Sequence, residues 1–233
     1  MVLVCVLLAT LPARVRRMPE PLLGESITDL DGTEAGELEV DVTGLSRRPG
    51  DLWTGELEVE WRALTRLGLS LEAGAAHQGA GSGVATSLRP SASFVLFHDP
   101  VRDLHLMLDA SVRLLENDSE AEPGEPALPL AFSLRGGIRR GPLTLRGALG
   151  GGAGGHSAHT VPLRAQGAAL LEAPFGFWGI EADGDFARSS PWVLAPELVL
   201  GTRALHVGVA MPWELGAGRL GAFVRLIFEV DQE

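Results

Sequence analysis

The sequence contains no lysine and no tyrosine, and its 233 residues include a single cysteine, Cys5. One cysteine excludes a disulfide framework and a cysteine-ligated zinc site. All nineteen cationic side chains are arginines, and thirty acidic residues outnumber them, which gives a net charge of -11. Because binding to phosphate requires positive charge, this acidic balance argues against a nucleic-acid partner.

The sequence also lacks an apolar run near the roughly 20 residues that a membrane-spanning helix requires. Residues 1–13 (MVLVCVLLATLPA) instead carry an apolar segment with the length of a signal-peptide core, and they end in Ala13, which suits cleavage. The alternative interpretation of this segment is a buried first strand. Residues 14–34 show no periodicity and predict an extended periplasmic leader, so residues 35–233 are expected to form a single β-barrel domain.

From about residue 35 onward, apolar and polar residues alternate as they do in half-buried β-strands. Residues 36–42 (GELEVDV) and 55–63 (GELEVEWRA) place apolar side chains on one face and mostly charged side chains on the other. No segment carries the 3.6-residue stripe of an amphipathic helix. The pattern predicts an all-β chain of about twelve strands, near residues 36–42, 55–63, 67–72, 85–97, 104–115, 128–138, 143–149, 161–172, 178–186, 192–201, 204–213 and 220–230.

Some of these strands are irregular. Pro90, Pro196 and Pro212 interrupt three of them, and proline donates no hydrogen bond to a ladder. Elsewhere, single apolar residues occupy faces that are otherwise polar: Met107, Leu115, Leu170, Phe223 and Ile227. Even with these exceptions the strand count stays near twelve.

The predicted connections alternate in length. Short connections are expected at residues 64–66, 98–103, 139–142, 173–177 and 202–203, and longer ones at residues 45–54, 77–83, 117–126 and 150–160. In an up-and-down meander, alternate connections lie at opposite ends of the sheet. Short turns at one end and longer loops at the other are typical of an antiparallel transmembrane β-barrel, whose short turns face the periplasm.

Alternation alone leaves open which face lies outside. In a soluble barrel or sandwich the apolar face packs inside, whereas in a membrane barrel it meets lipid. Charge-free apolar faces, small residues on the polar faces, the signal-like segment and aromatic residues near strand ends favour the membrane barrel. Those aromatic residues are Trp53, Trp61, Phe94, Phe97, Phe175, Phe177, Trp178, Phe186, Trp192, Trp213 and Phe228. The absence of tyrosine argues against it, because tyrosine is a usual interfacial residue.

In the membrane interpretation, the charged faces line a lumen. The candidate lumen residues are Glu37, Glu39, Asp41, Glu56, Glu58, Glu60, Arg62, Asp109, Arg113, Arg135, Arg139, Arg146, Arg164, Glu181, Asp183, Asp185 and Arg225. Acidic residues dominate the first two strands and arginines the middle ones, so an acidic wall is expected to face a basic wall. This arrangement predicts either a transverse field that selects polar solutes or a salt-bridged filling of a closed barrel.

Catalytic and metal motifs are weak. His156 and His159 lie in a glycine-rich loop at a spacing that suits two metal ligands, but no third ligand is near. The sequence has no Gly-x-Ser-x-Gly elbow, phosphate-binding loop or His-Glu-x-x-His motif. We therefore expect neither an enzyme nor a cofactor, and a lipid hydrolase is the least favoured alternative.

Several segments resemble outer-membrane β-barrel proteins of GC-rich Gram-negative bacteria. Residues 25–32 (ESITDLDG) and 34–40 (EAGELEV) are similar to the opening of such proteins, residues 59–62 (VEWR) with 66–69 (RLGL) to an early hairpin, and residues 223–228 (FVRLIF) to the last strand. The resemblance implies an outer-membrane location and a barrel fold.

The sequence as a whole favours an outer-membrane β-barrel that is a narrow passive channel or a structural protein with a charge-segregated lumen. Its expected partners are outer-membrane lipid and small polar solutes. The alternative is a soluble periplasmic barrel or sandwich that binds a ligand in its core, and the second alternative is a lipid-modifying outer-membrane enzyme.

Overall fold

The computed structural model describes residues 38–47, 52–78, 84–99, 101–116, 130–153, 163–174, 176–186, 192–201 and 205–230. The described strands are β1 Leu38–Arg47, β2 Leu52–Leu64, β3 Leu67–Gln78, β4 Val84–Asp99, β5 Leu104–Val112, β6 Leu115–Glu116, β7 Leu130–Arg140, β8 Leu143–Ala153, β9 Leu163–Ala173, β10 Gly176–Asp185, β11 Val193–Gly201, β12 Leu205–Ala210, β13 Trp213–Glu214 and β14 Arg219–Val230.

These strands form one closed antiparallel sheet. Apart from the two-residue strands β6 and β13, each strand pairs with the next along the chain, and β1 pairs with β14 along its whole length, from Leu38 opposite Val230 to Arg47 opposite Gly221. The short strands β6 and β13 prolong the wall positions of β5 and β12. The described residues therefore form a twelve-strand up-and-down barrel, which confirms the predicted fold class. No helix among them is long and apolar enough to cross a membrane, a criterion that concerns helices alone.

Two of the predicted proline interruptions coincide with breaks in a neighbouring strand. By register, β5 ends opposite Pro90, and the wall resumes at β6, where Leu115 faces Leu88. Likewise β12 ends at Ala210, just before Met211, whose N–H donates to the Pro196 carbonyl at 3.0 Å. Because proline has no N–H to donate, the ladder loses a hydrogen bond at each of these places.

The longest gaps between strands lie at one end of the barrel, as predicted, although that end also has four-residue gaps between β1 and β2 and between β13 and β14. Five connections of at most four residues join β2 to β3, β4 to β5, β7 to β8, β9 to β10 and β11 to β12 at the other end, which we call the short-turn end. The two-residue turn between Arg140 and Leu143 contains Gly141, whose φ of 61° belongs to a region that favours glycine. The opposite end, which carries the wider gaps between strands, is called the long-loop end.

The predicted long connection at residues 45–54 is wrong. Strand β1 continues to Arg47 and β2 begins at Leu52, and these two residues pair directly. The alternation is lost here because the inward side chain of Leu45 packs against other inward apolar residues. Where the inner face of a strand is apolar, apolar and polar residues no longer alternate, so the sequence does not reveal the strand.

The outer face of the barrel is apolar. Leu149 and Trp178 are 51% and 53% exposed there, among many other large apolar side chains. Among the described strand side chains, the charged ones on this face are Asp99 and Arg140, each the last residue of its strand. A soluble protein does not expose so large a continuous apolar surface. This polarity is that of a membrane barrel and contradicts the alternative of a soluble barrel with an apolar core.

The tryptophans mark both ends of the outer face. All five are described: Trp53, Trp192 and Trp213 lie near the long-loop end, and Trp61 and Trp178 near the short-turn end. The ring of Trp192 meets that of Phe186 edge to face at 5.5 Å. Two aromatic belts that flank an apolar band are typical of membrane barrels.

The predicted aromatic set needs one correction at Phe177. This residue points inward and packs against the inner apolar patch, a cluster formed by Ala195, Val199, Ala210 and Phe223. Its neighbour Trp178 points outward, because successive side chains of a strand face opposite sides. Phe175 lies outside the described residues.

A second set of inward residues fills the barrel near the short turns. Each lies in the half of its strand nearest those turns and is at most 8% exposed: Val95, Met107, Thr144, Leu170, Val199 and Ile227. We call these residues the packed layer. Because they come from six strands around the wall, their side chains fill part of the lumen at this level.

Candidate functional site in the barrel lumen

Apart from Asp99 and Arg140 on the outer face, the described charged side chains of the strands face the interior. Alternation along each strand and the register between strands give inner-face positions to the candidates Glu39, Asp41, Glu56, Glu58, Glu60, Arg62, Asp109, Arg113, Arg135, Arg139, Arg146, Arg164, Glu181, Asp183 and Arg225. Glu37 lies outside the described residues, and Asp185 is described only as a strand position.

One deeply buried ion pair closes the barrel. Arg225 on β14 pairs with Asp41 on β1, and their side chains are 5% and 1% exposed. These strands lie at opposite ends of the chain and meet at the seam. Each charge compensates the other, which offsets part of the cost of removing both from water.

A second ion pair is part of a hydrogen-bond network. Arg135 on β7 pairs with Asp109 on β5 and donates to the Ser93 hydroxyl at 2.7 Å. The Ser133 hydroxyl donates to the same aspartate at 3.2 Å. The arginine fork is thus held by acceptors on two strands, which fixes its position in the lumen.

A third ion pair, Arg164 on β9 with Asp183 on β10, is bidentate, with both nitrogen-to-oxygen distances at 2.7 Å. Like the other two, it joins neighbouring strands. The charges of these pairs therefore compensate one another along the wall, whereas the sequence had suggested that an acidic wall faces a basic wall across the lumen.

Other lumen residues were missed from sequence. Arg89 pairs with Glu72 across β3 and β4, and Glu197 and Glu214 are buried on the inner face. Arg89 adjoins Pro90, so its strand looked too irregular to assign faces. Pairing β4 with the regular strand β3 would have identified it, because Glu72 then lies directly opposite.

The lumen contains a cavity of about 440 Å³, which we call the chamber. Its wall runs from β2 to β9, and on β8 the lining residues lie toward the long-loop end. Carboxylates and guanidinium groups are equal in number, and serine hydroxyls lie between them. The polar lining residues are Glu58, Glu60, Glu72, Asp109, Arg89, Arg113, Arg135, Arg164, Ser70, Ser91, Ser93, Ser111, Ser133 and Gln166.

Two polar residues of the chamber, Glu58 and Gln166, have no partner among the residues that the structure describes. No hydrogen bond or ion pair joins Glu58 to another described residue. Gln166 is 7% exposed, and neither atom of its side-chain amide has a hydrogen-bond partner among the described residues. A buried amide without a partner is costly, so this position favours a polar occupant.

The histidines offer no metal centre in the described part of the chain, where no group of three potential ligands occurs. His105 is buried in the lumen at 3% exposure, and the ring of His77 lies 6.0 Å from that of Trp53. His156 and His159, the candidate metal ligands, lie outside the described residues.

No protein-family model matches this chain, and no curated protein matches it in sequence. Its structure is similar to that of the KdgM porin in complex with disordered oligogalacturonate, with a TM-score of 0.63 and 12% identity, over 83% of this chain and 99% of that one. It is also similar to the COG4313 outer membrane channel from Pseudomonas putida F1, with a TM-score of 0.64 and 10% identity, over 91% and 100% of the two chains.

At these identities the likeness concerns the fold. The chain has the fold of outer-membrane β-barrels, with an apolar exterior, a polar lumen and short turns at one end. Both similar structures are described as a porin or a channel and not as an enzyme.

Proposed function

We propose that this protein is a narrow passive channel of the bacterial outer membrane that admits small polar solutes. One observation carries the proposal: a closed barrel combines an apolar exterior with a polar lumen that contains a charged chamber. The apolar outer face can contact lipid. Because the sheet closes on itself, no unpaired strand edge is exposed to hydrocarbon.

An outer-membrane location is supported by the twelve-strand fold, the two tryptophan belts and the resemblance to outer-membrane proteins of GC-rich Gram-negative bacteria. In this proposal residues 1–13 are a signal peptide, residues 14–34 a periplasmic leader, and the short turns face the periplasm. The outer-membrane lipid is then the partner of the apolar face.

The charge balance of the chamber indicates which solutes the channel favours. The KdgM porin was solved with oligogalacturonate, a chain of acidic sugars. In the chamber proposed here as a route, four carboxylates balance four guanidinium groups, which favours solutes of low net charge. The packed layer narrows the lumen, so the expected conductance lies well below that of an open barrel with the same number of strands.

A structural role is the second candidate, because a specific observation favours it. The packed layer and the buried pair between Arg225 and Asp41 fill part of the lumen with side chains. A barrel filled in this way would be stable without conducting. An enzymatic role in lipid hydrolysis has no such observation in its favour.

Planar-bilayer recordings in potassium chloride distinguish the two candidates. The channel proposal predicts small, reproducible current steps from protein that migrates as a folded barrel in unheated gels. Ala148→Leu, which intrudes on the chamber, should lower the conductance, whereas Ala222→Leu on the outer face should leave it unchanged. Folded protein that inserts without any current would instead establish the structural role.

A further inference from the structure

We propose that the chamber binds a small zwitterion, a solute with an ammonium group at one end and a carboxylate at the other. This inference rests on the proposed function, since the solute reaches the chamber through the lumen from the long-loop end. The two ends of the site are Glu58 and Gln166, both of which line the chamber and lack partners among the described residues.

Glu58 provides the end that takes the cation. It lies between Asp41 on β1 and Glu72 on β3, directly opposite each in the register. Both neighbours are compensated by arginines, Asp41 by Arg225 and Glu72 by Arg89. Glu58 is therefore the middle carboxylate of three and the one without an arginine among the described residues. An ammonium group, with a positive charge and three donors, complements it.

Gln166 provides the end that takes the carboxylate. Its inner-face neighbour on β9 is Arg164, and beyond the small residue Ala148 on β8 lies Arg135 on β7. A guanidinium has five donors, more than a single carboxylate accepts, so these arginines can also attract a second anion. If the Gln166 side chain rotates toward the chamber that it lines, its amide N–H groups can donate to the carboxylate of the solute. Binding would then remove the cost of leaving these groups unpaired.

The two ends face each other across the barrel. Strand β2, which carries Glu58, is separated from β9, which carries Gln166, by five strand positions in either direction around the wall. The two strands are therefore diametrically opposed, and the chamber lies between the two residues. A dianion would meet the Glu58 carboxylate at one end, and a dication would meet the guanidinium groups at the other. A zwitterion is attracted at both.

Four linear probes of equal length test this inference: 6-aminohexanoate, adipate, 1,6-diaminohexane and 1,6-hexanediol. Titration calorimetry with the folded full chain in detergent micelles should show that 6-aminohexanoate binds at least about tenfold more tightly than the other three, as expected for hydrogen bonds to charged groups at both ends. Equal affinities, or tighter binding of adipate or 1,6-diaminohexane, would overturn the inference without any variant.

Variants assign the two ends. Glu58→Gln should lower the affinity for 6-aminohexanoate roughly tenfold and reduce its advantage over adipate, because adipate no longer meets an unpaired carboxylate. Gln166→Leu should lower the affinity for 6-aminohexanoate and for adipate, but leave that for 1,6-diaminohexane unchanged. Thr144→Val, which removes a buried lumen hydroxyl outside the chamber, is the control and should bind like the wild type. Retention of wild-type preferences by both chamber variants would also overturn the inference.

The same preparation separates this inference from the proposed function. If the wild type conducts potassium chloride but does not prefer the zwitterion, the inference is wrong and the channel stands. If it binds 6-aminohexanoate selectively without conducting, the chamber is a binding site and the channel proposal is wrong.

Discussion

At the scale of single residues, Asp41 carries a buried charge at the seam of the barrel. Its side chain is 1% exposed and compensates Arg225 at the seam where the first and last strands meet. The contact joins residues 184 positions apart in sequence. Removing one partner of such a pair costs more than the pair contributes, because the remaining charge stays buried after it has lost that partner.

We therefore expect Asp41→Asn to lower the free energy of unfolding by about 3–5 kcal/mol. Urea unfolding in lipid vesicles, followed by tryptophan fluorescence, measures it. Asp183→Asn is the matched control, because its partner Arg164 is 51% exposed and water screens the charge that is left. That control should cost less than about 1 kcal/mol. Equal losses for the two variants would show that the seam pair has no special role.

At the scale of the strands, the exceptions to alternation mark the apolar side chains that pack inside the barrel. Met107, Leu170, Phe223 and Ile227 are apolar residues on otherwise polar faces, and all four are buried inside the barrel. Alternation predicted the strands because each strand divides lipid from lumen, two environments of opposite polarity. Alternation could not predict the apolar side chains that fill the lumen, because these residues are placed by packing inside the barrel and interrupt the two-residue period. For the same reason, Leu45 was predicted to lie in a loop.

Two positions on strand β8 can be used to test whether the outer face of the barrel contacts the bilayer. Leu149 lies within its outer face, and Leu143 is its first residue, beside the short turn. In a bilayer, Leu149→Arg should destabilise the barrel by about 2–4 kcal/mol, and Leu143→Arg by about 0–1 kcal/mol, because the cost of a charge falls toward the interface. Guanidinium unfolding from vesicles of the same lipid measures both. If neither variant lost stability, the outer face would not contact hydrocarbon.

At the scale of the whole molecule, the sequence could predict a closed sheet but not which residues meet or face each other when the sheet closes. The twelve strands, their order and the end that carries the short turns all follow from alternation and connection lengths. The meeting of Asp41 with Arg225, and the opposition of Glu58 and Gln166, depend on the number of strands and on the register of every pair around the barrel. An error of one residue in a single register would turn a strand's side chains to the other face.

The packed layer decides whether the closed barrel conducts. Met107 is 1% exposed on the inner face of β5, and its neighbour Leu106 points outward at 37% exposure. Met107→Ala removes side-chain volume from the packed layer, so we expect a larger single-channel conductance in planar bilayers. Leu106→Ala makes a comparable deletion on the same strand but faces lipid, and its conductance should equal that of the wild type. Leu170→Ala and Leu171→Ala repeat the comparison on β9. If the inner variants conduct no better than their outer neighbours, the resistance to ion flow lies elsewhere in the lumen.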